Sequence, residues 1–223
     1  MLFDPAQGVA PTPSLFDPLS FGEHAQPVGQ GGRQAAWFVS AGFGDAVLRH
    51  YRRGGLIARL SRDAYIWRGE HATRAFAEFR VMQRLSGLGL RVPAPLAGGY
   101  WRSALTYRAA LLTRRIPHAR PLALTLDEAL IEPVAQAIAA MHRAGAWHAD
   151  LNAYNIMLDA DDQVWLIDFD RATLGQLTDS SRRANVARLQ RSLIKVAGAR
   201  GEQFGRVLAK AYEHAWRRAT IQP

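Results

Sequence analysis

The sequence predicts an α+β protein of two lobes, in which a small antiparallel sheet with one helix is followed by a mainly helical part. Three observations support this fold class. Strand-like runs separated by glycine-rich turns dominate as far as about residue 115, and helical periodicity dominates afterwards. A chain of 223 residues with 48% apolar content is also long enough to bury the core that two lobes need.

The first lobe is predicted at residues 28–115. The strand-like runs AAWFV and AVLRHY form a hairpin around the turn GFGD, and RVPAPLAGGYW and LTYRAALLT supply two further strands. Between these pairs, apolar residues recur every three positions from Phe76 to Leu85. This spacing predicts a helix over residues 73–85 that begins at a Thr73 cap.

The second lobe is predicted at residues 116–223. TLDE at 125–128 matches a capping box, and an alanine-rich helix is predicted over 133–144, closed by Gly145. The short strands NIMLD and QVWLIDFD follow, joined by the turn DADD. From about Ser180 the periodicity indicates a further helix, whose apolar stripe includes Val186, Leu189 and Leu193.

Residues 1–27 are predicted to form a flexible N-terminal arm. They contain five prolines, no Lys or Arg, and two copies of LFDP. The N-terminus lacks the plan of a secretory signal, and no apolar run approaches the ~18 residues of a spanning helix. The absence of Cys excludes disulfides and thiolate metal sites. We therefore expect a cytoplasmic protein.

The charge of the chain is high and unevenly distributed. The net charge is +9, and only two of the 28 basic residues are lysines, Lys195 and Lys210. Residues 49–120 carry 15 Arg against three acids, whereas residues 121–170 carry nine acids against one Arg. This distribution predicts an anionic partner for one part of the chain and a cluster of carboxylates in another.

The stretch WHADLNAYN and the following IDFD place polar side chains on a loop between a helix and a strand. The Asp150 carboxylate can accept a proton from an attacking hydroxyl. The Asn155 amide oxygen and the Asp168 carboxylate can hold a hard cation such as Mg²⁺. Together these are the parts needed for phosphoryl transfer.

The same residues resemble the catalytic loop H-x-D-x-x-x-x-N and the metal-binding D-F-G of protein kinase-like enzymes. The resemblance implies a bilobal protein kinase-like fold, with Asp150 as the catalytic residue, Asn155 and Asp168 as metal ligands, and His148 as a buried brace of the loop.

It also implies a glycine loop for ATP and a cation paired with a helix glutamate. Gly29, Gly31, Gly32, Arg49 and Glu78 are the candidates for this cofactor-binding set. Three departures from the family pattern stand out. Arg49 in VLR occupies the place of the usual lysine, and Arg52 or Arg53 is expected to share its task. Asp170 replaces the glycine of D-F-G, and the segment 171–185 is short and lacks A-P-E.

Three stretches, LRHYRRGGLIARL, HADLNAYNIMLD and RANVARLQRSL, resemble the 3-deoxy-D-manno-octulosonic acid (Kdo) kinases of the bacterial lipopolysaccharide kinase family over residues 28–195. The resemblance implies Mg²⁺-dependent transfer of the ATP γ-phosphate to the 4-OH of Kdo on a Kdo-lipid A precursor. It also implies a peripheral position at the cytoplasmic face of the inner membrane, where the Arg-rich part would meet an anionic surface.

We expect no nucleic-acid partner and no obligate protein partner. The sequence leaves two alternatives. One is a different kinase of the same fold, of the heptose or aminoglycoside type, which an acceptor panel would identify. The other is a non-catalytic module that is either kinase-like or binds nucleic acid, which would lack transferase activity.

Overall fold

A computed structural model describes residues 1–10, 12–29, 36–52 and 63–218. The chain divides into two compact units. The first comprises Met1–Gln83 and Ala94–Arg115, and the second comprises Arg84–Pro93 and Ile116–Pro223. An antiparallel sheet characterises the first unit and helices dominate the second, which confirms the predicted α+β class.

The sheet of the first unit is antiparallel throughout its described strands, in the order β1-β6-β7-β4-β3-β2, and β5 pairs with β7. Ala41 pairs with Gly44 at the tight turn between β3 and β4, where Gly44 has a φ of 89°. The strands are β1 (Leu2–Phe3), β2 (Ala25–Pro27), β3 (Ala36–Ala41), β4 (Gly44–His50), β5 (Tyr65–Ile66), β6 (Pro95–Ser103) and β7 (Thr106–Arg114).

Helix α1 (Arg74–Gly87) carries the predicted apolar face. Phe76, Phe79 and Leu85 are all buried, as their spacing requires. Thr73 lies at the predicted cap position, because its carbonyl accepts the Ala77 N–H at 2.9 Å. Its hydroxyl, however, donates to the Glu70 carbonyl at 2.8 Å instead of accepting from the first turn. The first N–H of the helix, that of Arg74, donates to the hydroxyl of Tyr107, a tertiary partner that no local pattern reveals.

The N-terminal segment is packed on the sheet, which corrects the prediction of a flexible arm at residues 1–27. In each LFDP copy the Asp side chain accepts a backbone N–H at 3.0 Å and the Pro begins a short 3-10 helix, Pro5–Gln7 in the first copy and Pro18–His24 in the second. Proline suits this first position because it has no N–H to satisfy there. The repeated motif is therefore a helix start.

Phe16 fixes this segment to the sheet. Its side chain is buried, and its ring meets that of Trp101 edge to face at a centroid distance of 5.4 Å. The His50 ring contacts the Phe16 carbonyl at 2.7 Å. Strand β6 has Gly99 beneath this ring, where a Cβ atom would lie 2.8 Å from the Phe16 side chain. The aromatic ring thus occupies the space left by the missing side chain.

Helices α2 (Ile131–Arg143) and α3 (Asp179–Arg218) pack together in the second unit. TLDE does not cap α2, because Asp127 accepts from the Ala129 N–H and starts the separate 3-10 helix Glu128–Leu130. Helix α2 ends before Gly145, whose φ is 78° and where a Cβ atom would lie 2.7 Å from the Gly175 carbonyl. Only glycine fits both requirements.

Helix α3 folds back on itself at Gly198, which has non-helical dihedral angles of φ 55° and ψ −129°. Arg182 and Tyr212 are 30 positions apart yet hydrogen-bonded at 2.8 Å, whereas a straight helix would separate them by about 45 Å. We call residues 179–197 the first arm and 199–218 the second arm. None of the described helices is sufficiently long and apolar to span a bilayer.

Two small antiparallel sheets complete the described part of the second unit. One has the order β11-β10-β8 and the other pairs β12 with β9. The hairpin between β10 and β11 is the one predicted around DADD. These strands are β8 (Arg120–Pro121), β9 (Ala146–Trp147), β10 (Ile156–Leu158), β11 (Val164–Leu166) and β12 (Thr173–Leu174).

Replacing Phe16 by Ala tests the packing of the N-terminal segment. We expect the free energy of unfolding to fall by about 3 kcal/mol, because a buried aromatic side chain is lost and a cavity is left. Chemical denaturation measures this loss. Leu19, which is 86% exposed, provides the matched control, and Leu19→Ala is expected to leave stability unchanged. Equal effects of the two substitutions would show that the segment contributes no packing.

Candidate active site

A buried ion pair occupies the first unit. Glu78 on α1 is 2% exposed, and its Oε2 atom accepts hydrogen bonds from Arg49 on β4 and from the Tyr51 hydroxyl, the latter at 2.5 Å. The Arg49 guanidinium also lies over the Tyr51 ring, 4.8 Å from its centroid. The predicted pairing of Arg49 with Glu78 is therefore present, and it satisfies a carboxylate that would be costly to bury alone.

The Arg49 side chain is about a quarter exposed, at 27%, so this cation reaches the surface while its partner stays inside. The other candidates of this set are less defined. Gly29 follows β2 with a φ of 84°, at the start of the connection from β2 to β3. Gly31 and Gly32 lie outside the described residues, and so does Arg53. Arg52 is exposed just after β4.

In the second unit, His148 organises the loop that follows β9. It is fully buried, its Nδ1 accepts from the Asp150 backbone N–H at 3.1 Å, and its Nε2 lies 2.9 Å from the Ile167 carbonyl. Because a carbonyl only accepts, Nε2 carries the proton and the ring is neutral. Burial lowers the pKa of His148, which favours the same form. The predicted role of brace agrees with these contacts.

The Asp150 backbone carbonyl is the centre of the same loop. It accepts from the side-chain amides of Asn152 and Asn155, at 3.0 and 2.9 Å. Asn152 in turn accepts the backbone N–H groups of Tyr154 and Asn155 through its Oδ1. These bonds fix the loop from Asp150 to Asn155 as a compact turn. They also orient the Asn155 side chain, because its Nδ2 donates to the Asp150 carbonyl.

Asp168 is joined to this loop through its neighbour, because the Ile167 N–H donates to the Asn155 carbonyl at 3.0 Å. The backbone at Asp168 has a φ of 61°, an uncommon conformation for a residue with a side chain. Such strain is frequent at functional sites. The structure therefore brings Asp150, Asn155 and Asp168 together in one unit.

The donor set suits a magnesium ion. Asn155 Oδ1 receives no hydrogen bond from the described residues, and Asp168 supplies a carboxylate. Mg²⁺ prefers such oxygen ligands and usually completes its shell with water and substrate phosphates. Within the described residues no group of three or more His, Cys, Asp or Glu forms a metal site. Asn155 and Asp168 would fill only two positions of an octahedral Mg²⁺ shell, which leaves the others for water and a substrate.

The Asp150 side chain is half exposed and has a partner that the sequence did not reveal. Arg188, on the first arm of α3, contacts Asp150 Oδ1 through Nε at 3.1 Å and through Nη2 at 2.5 Å. Burial alone would raise the pKa of the Asp150 carboxyl, but the hydrogen bonds and charge of Arg188 outweigh it and the pKa is lowered. Asp150 is therefore held in its anionic form.

A buried polar network supports the loop from behind. Asn185 Nδ2 donates to the His148 carbonyl at 2.7 Å, and Asn185 Oδ1 accepts from His142 Nε2 at 3.0 Å. His142 Nδ1 accepts from the Tyr212 hydroxyl, which accepts from Arg182, both at 2.8 Å. Burial is the main cause that lowers the pKa of His142 to about 4. The network requires a neutral His142.

Sequence reasoning missed Tyr51, Arg188 and Asn185. Tyr51 lies two positions after Arg49, so an extended chain points both side chains to one side of the sheet. Asn185 and Arg188 repeat at helical spacing, on a helix for which only the apolar stripe was considered. That stripe, Val186, Leu189 and Leu193, is buried as predicted. The helical spacing of Asn185 and Arg188 was thus the available sequence signal for this polar face of α3.

Comparison with known proteins supports the resemblance. A family model described as the lipopolysaccharide kinase (Kdo/WaaP) family matches residues 21–212. Three relatives, each named 3-deoxy-D-manno-octulosonic acid kinase, are similar to the chain over most of its length.

The Stenotrophomonas maltophilia K279a protein is 48% identical over 92% of this chain and 86% of its own length. The Xylella fastidiosa M12 protein is 49% identical over 92% of this chain and 85% of its own length. The Xanthomonas campestris pv. campestris B100 protein is 48% identical over 98% of this chain and 91% of its own length.

The lowered pKa of His142 predicts a loss of stability in acid. Between the ordinary pKa of 6.5 and the folded value of about 4, the unfolded chain binds the proton and the folded chain does not. The contribution is therefore complete above pH 6.5 and falls as the pH is lowered. Urea denaturation should show a loss of about 2 kcal/mol from this residue between pH 7 and pH 5.

His142→Gln removes the titrating group. Between pH 7 and pH 5 the free energy of unfolding of this variant should therefore fall by about 2 kcal/mol less than that of the unmodified protein. The exposed His214 on α3 is the matched control, and His214→Gln should keep the pH dependence of the unmodified protein. An unchanged pH dependence in His142→Gln would contradict the assignment.

Proposed function

The chain belongs to the lipopolysaccharide kinase (Kdo/WaaP) family, and from this membership we propose that it phosphorylates a Kdo residue with ATP and Mg²⁺. We further propose the 4-OH of Kdo on a Kdo-lipid A precursor as the acceptor. The observation that carries the proposal is the loop of the second unit, in which an exposed Asp150 carboxylate stands on the backbone that also holds Asn155 and, through Ile167, Asp168.

Asp150 acts on the acceptor hydroxyl in the proposed step. Its carboxylate accepts a hydrogen bond from the hydroxyl and takes the proton as the sugar oxygen bonds to the γ-phosphorus of ATP. The bond from that phosphorus to the bridging oxygen breaks, and its electrons leave with ADP. The proton then passes from Asp150 to solvent. The ion pair with Arg188 keeps Asp150 anionic, as an acceptor of protons must be.

Asn155 Oδ1 and the Asp168 carboxylate would hold the magnesium ion. When bound, the ion would neutralise negative charge on the nucleotide phosphates. His148 contributes by position, because its buried ring ties the Asp150 N–H to the Ile167 carbonyl and so holds the proposed base near the backbone that carries the proposed ligand Asp168.

Arg49 is proposed to supply the phosphate-binding cation of the first unit. Glu78 and Tyr51 orient its guanidinium from inside, and the Arg49 side chain is partly exposed. A guanidinium binds phosphate through two donors where an ammonium acts as a point charge. Gly29, with Gly31 and Gly32, remains the proposed glycine loop for the same nucleotide.

The proposed location is the cytoplasmic face of the inner membrane, where a Kdo-lipid A acceptor would lie. The net charge of +9 supports association with an anionic surface, to which each nearby Arg adds about 1 kcal/mol.

Replacing Asp150 by Ala tests the proposed chemistry. We expect kcat to fall by about a hundredfold or more, because proton acceptance is lost, while ATP binding persists. The assay incubates Mg-ATP with a Kdo-lipid A precursor and scores the mass gain of one phosphate. A panel with heptose and aminoglycoside acceptors identifies the substrate class. Phosphorylation of another acceptor in preference to Kdo would refute the proposed substrate.

Arg49→Gln supplies the contrasting variant in the same assay. It should raise the KM for ATP and leave the KM for the acceptor unchanged. If Asp150→Ala kept full turnover, Asp150 would not be the base, whatever the result for Arg49→Gln.

Salt extraction tests the proposed location. If charge holds the protein at the membrane, washing membranes with about 1 M NaCl should release it, since the screening length then falls to about 3 Å. Sedimentation and immunoblotting measure the released fraction. A known integral membrane protein serves as the control that must stay in the pellet, and retention of this protein beside it would contradict an electrostatic attachment.

A further inference from the structure

A cleft of about 650 Å³ opens beside the candidate base in the second unit. One side is the loop that carries Asp150 and Tyr154, and the other is the first arm of α3. The volume falls within the range of small-molecule sites. The cleft is therefore large enough for a sugar residue next to the carboxylate that would activate its hydroxyl.

Three cations line the helical side of this cleft. Arg188, Arg191 and Lys195 are spaced by three and four positions, which places them on one face of the helix, and all three are exposed. Asp150 is the only acidic residue among the described residues of the lining. The lining thus has an excess of two positive charges, although Asp150 is the group required for proton transfer.

Arg188 alone of the three is paired. Among the described residues, neither Arg191 nor Lys195 has a carboxylate within ion-pair distance. Arg188 directs both Nε and Nη2 to one oxygen of Asp150, so its Nη1, which makes no hydrogen bond to the described residues, can donate to a second acceptor. Such an acceptor would lie between the base and the two unpaired cations.

We propose that Arg188, Arg191 and Lys195 form a subsite for an anionic group of the phosphate acceptor, either a sugar carboxylate or a phosphate. This inference rests on the proposed function, since it names what the same site recognises. Arg188 is a positioning residue in this account: it links the acceptor anion to Asp150 and so sets the distance between the acceptor hydroxyl and the base.

The composition of the proposed acceptor agrees with this subsite. An octulosonic acid carries a carboxylate on the sugar that receives the phosphate, and a lipid A precursor carries phosphates further along. A cleft with this charge would discriminate against neutral or cationic sugars, because they would leave the cations without a partner.

The test uses Arg191→Gln, Lys195→Gln and the double variant in steady-state assays with Mg-ATP and the Kdo-lipid A precursor. The KM for the acceptor should rise roughly fivefold for each single variant and roughly 25-fold for the double variant. The KM for ATP should stay unchanged and kcat should stay within about twofold. Arg206→Gln, an exposed arginine on the second arm of α3, is the matched control and should behave as the unmodified protein.

Two altered acceptors identify the anionic group. One has the Kdo carboxylate converted to an amide, and the other lacks the lipid A phosphates. One of these acceptors lacks the group that the subsite recognises. For that acceptor the unmodified enzyme should have a KM as high as that of the double variant with the intact acceptor, and the KM of the double variant should not rise further. If both altered acceptors still show the full difference between the unmodified enzyme and the double variant, the subsite is refuted.

An increase in the KM for ATP alone would assign the cations to the nucleotide and overturn this inference. If the unmodified enzyme phosphorylates Kdo and the double variant keeps its acceptor KM, only the subsite fails. If the unmodified enzyme does not phosphorylate Kdo at all, the proposed function fails and the subsite with it.

Discussion

The buried imidazole of His148 is the constraint on which the polar architecture of the second unit depends. A ring that is inaccessible to water must satisfy both nitrogens within the protein, and it does so with the Asp150 N–H and the Ile167 carbonyl. The two bonds join segments 17 positions apart in the chain. Because the ring is rigid and neutral, it fixes the separation of the candidate base and the candidate metal ligand without adding charge between them.

The first unit also contains a buried polar group, and there an ion pair satisfies it. Glu78 is as buried as a core side chain, and its Oε2 atom accepts hydrogen bonds from both Arg49 and Tyr51, which offset the cost of burying a carboxylate. A guanidinium can serve two partners at once because its donors point in several directions. The absence of lysine from this part of the sequence is thus compatible with an intact ion pair.

Much of the fold and of the candidate site could be predicted from the sequence, wherever residues recurred periodically or at a fixed spacing. The faces of α1 and the first arm of α3 followed from apolar repeats, and the spacing of Asp150, Asn155 and Asp168 identified the loop. The failures were contacts that a local pattern does not encode. Thr73 lies at the cap position of α1, but the Tyr107 hydroxyl accepts the first N–H of the helix. TLDE matched a capping box, but its Asp127 starts a separate 3-10 helix.

The prediction of a flexible N-terminal arm was wrong for a related reason. Its prolines indicated an extended chain, yet proline also begins short helices, and only the space above Gly99 shows why Phe16 packs there. Arg188 was missed because charged residues on an exposed helix are usually solvated. Its position beside Asp150 depends on how α3 crosses the loop, which no spacing within α3 could reveal.

The fold-back of α3 at Gly198 has a consequence for the order in which the protein is built. The second arm brings Tyr212 to His142, and through Asn185 that contact reaches the backbone of His148. A ribosome releases the loop around Asp150 before it releases Tyr212, which follows Asp150 by 62 positions in the sequence. The loop therefore acquires these supporting hydrogen bonds only after the second arm of α3 has been synthesised.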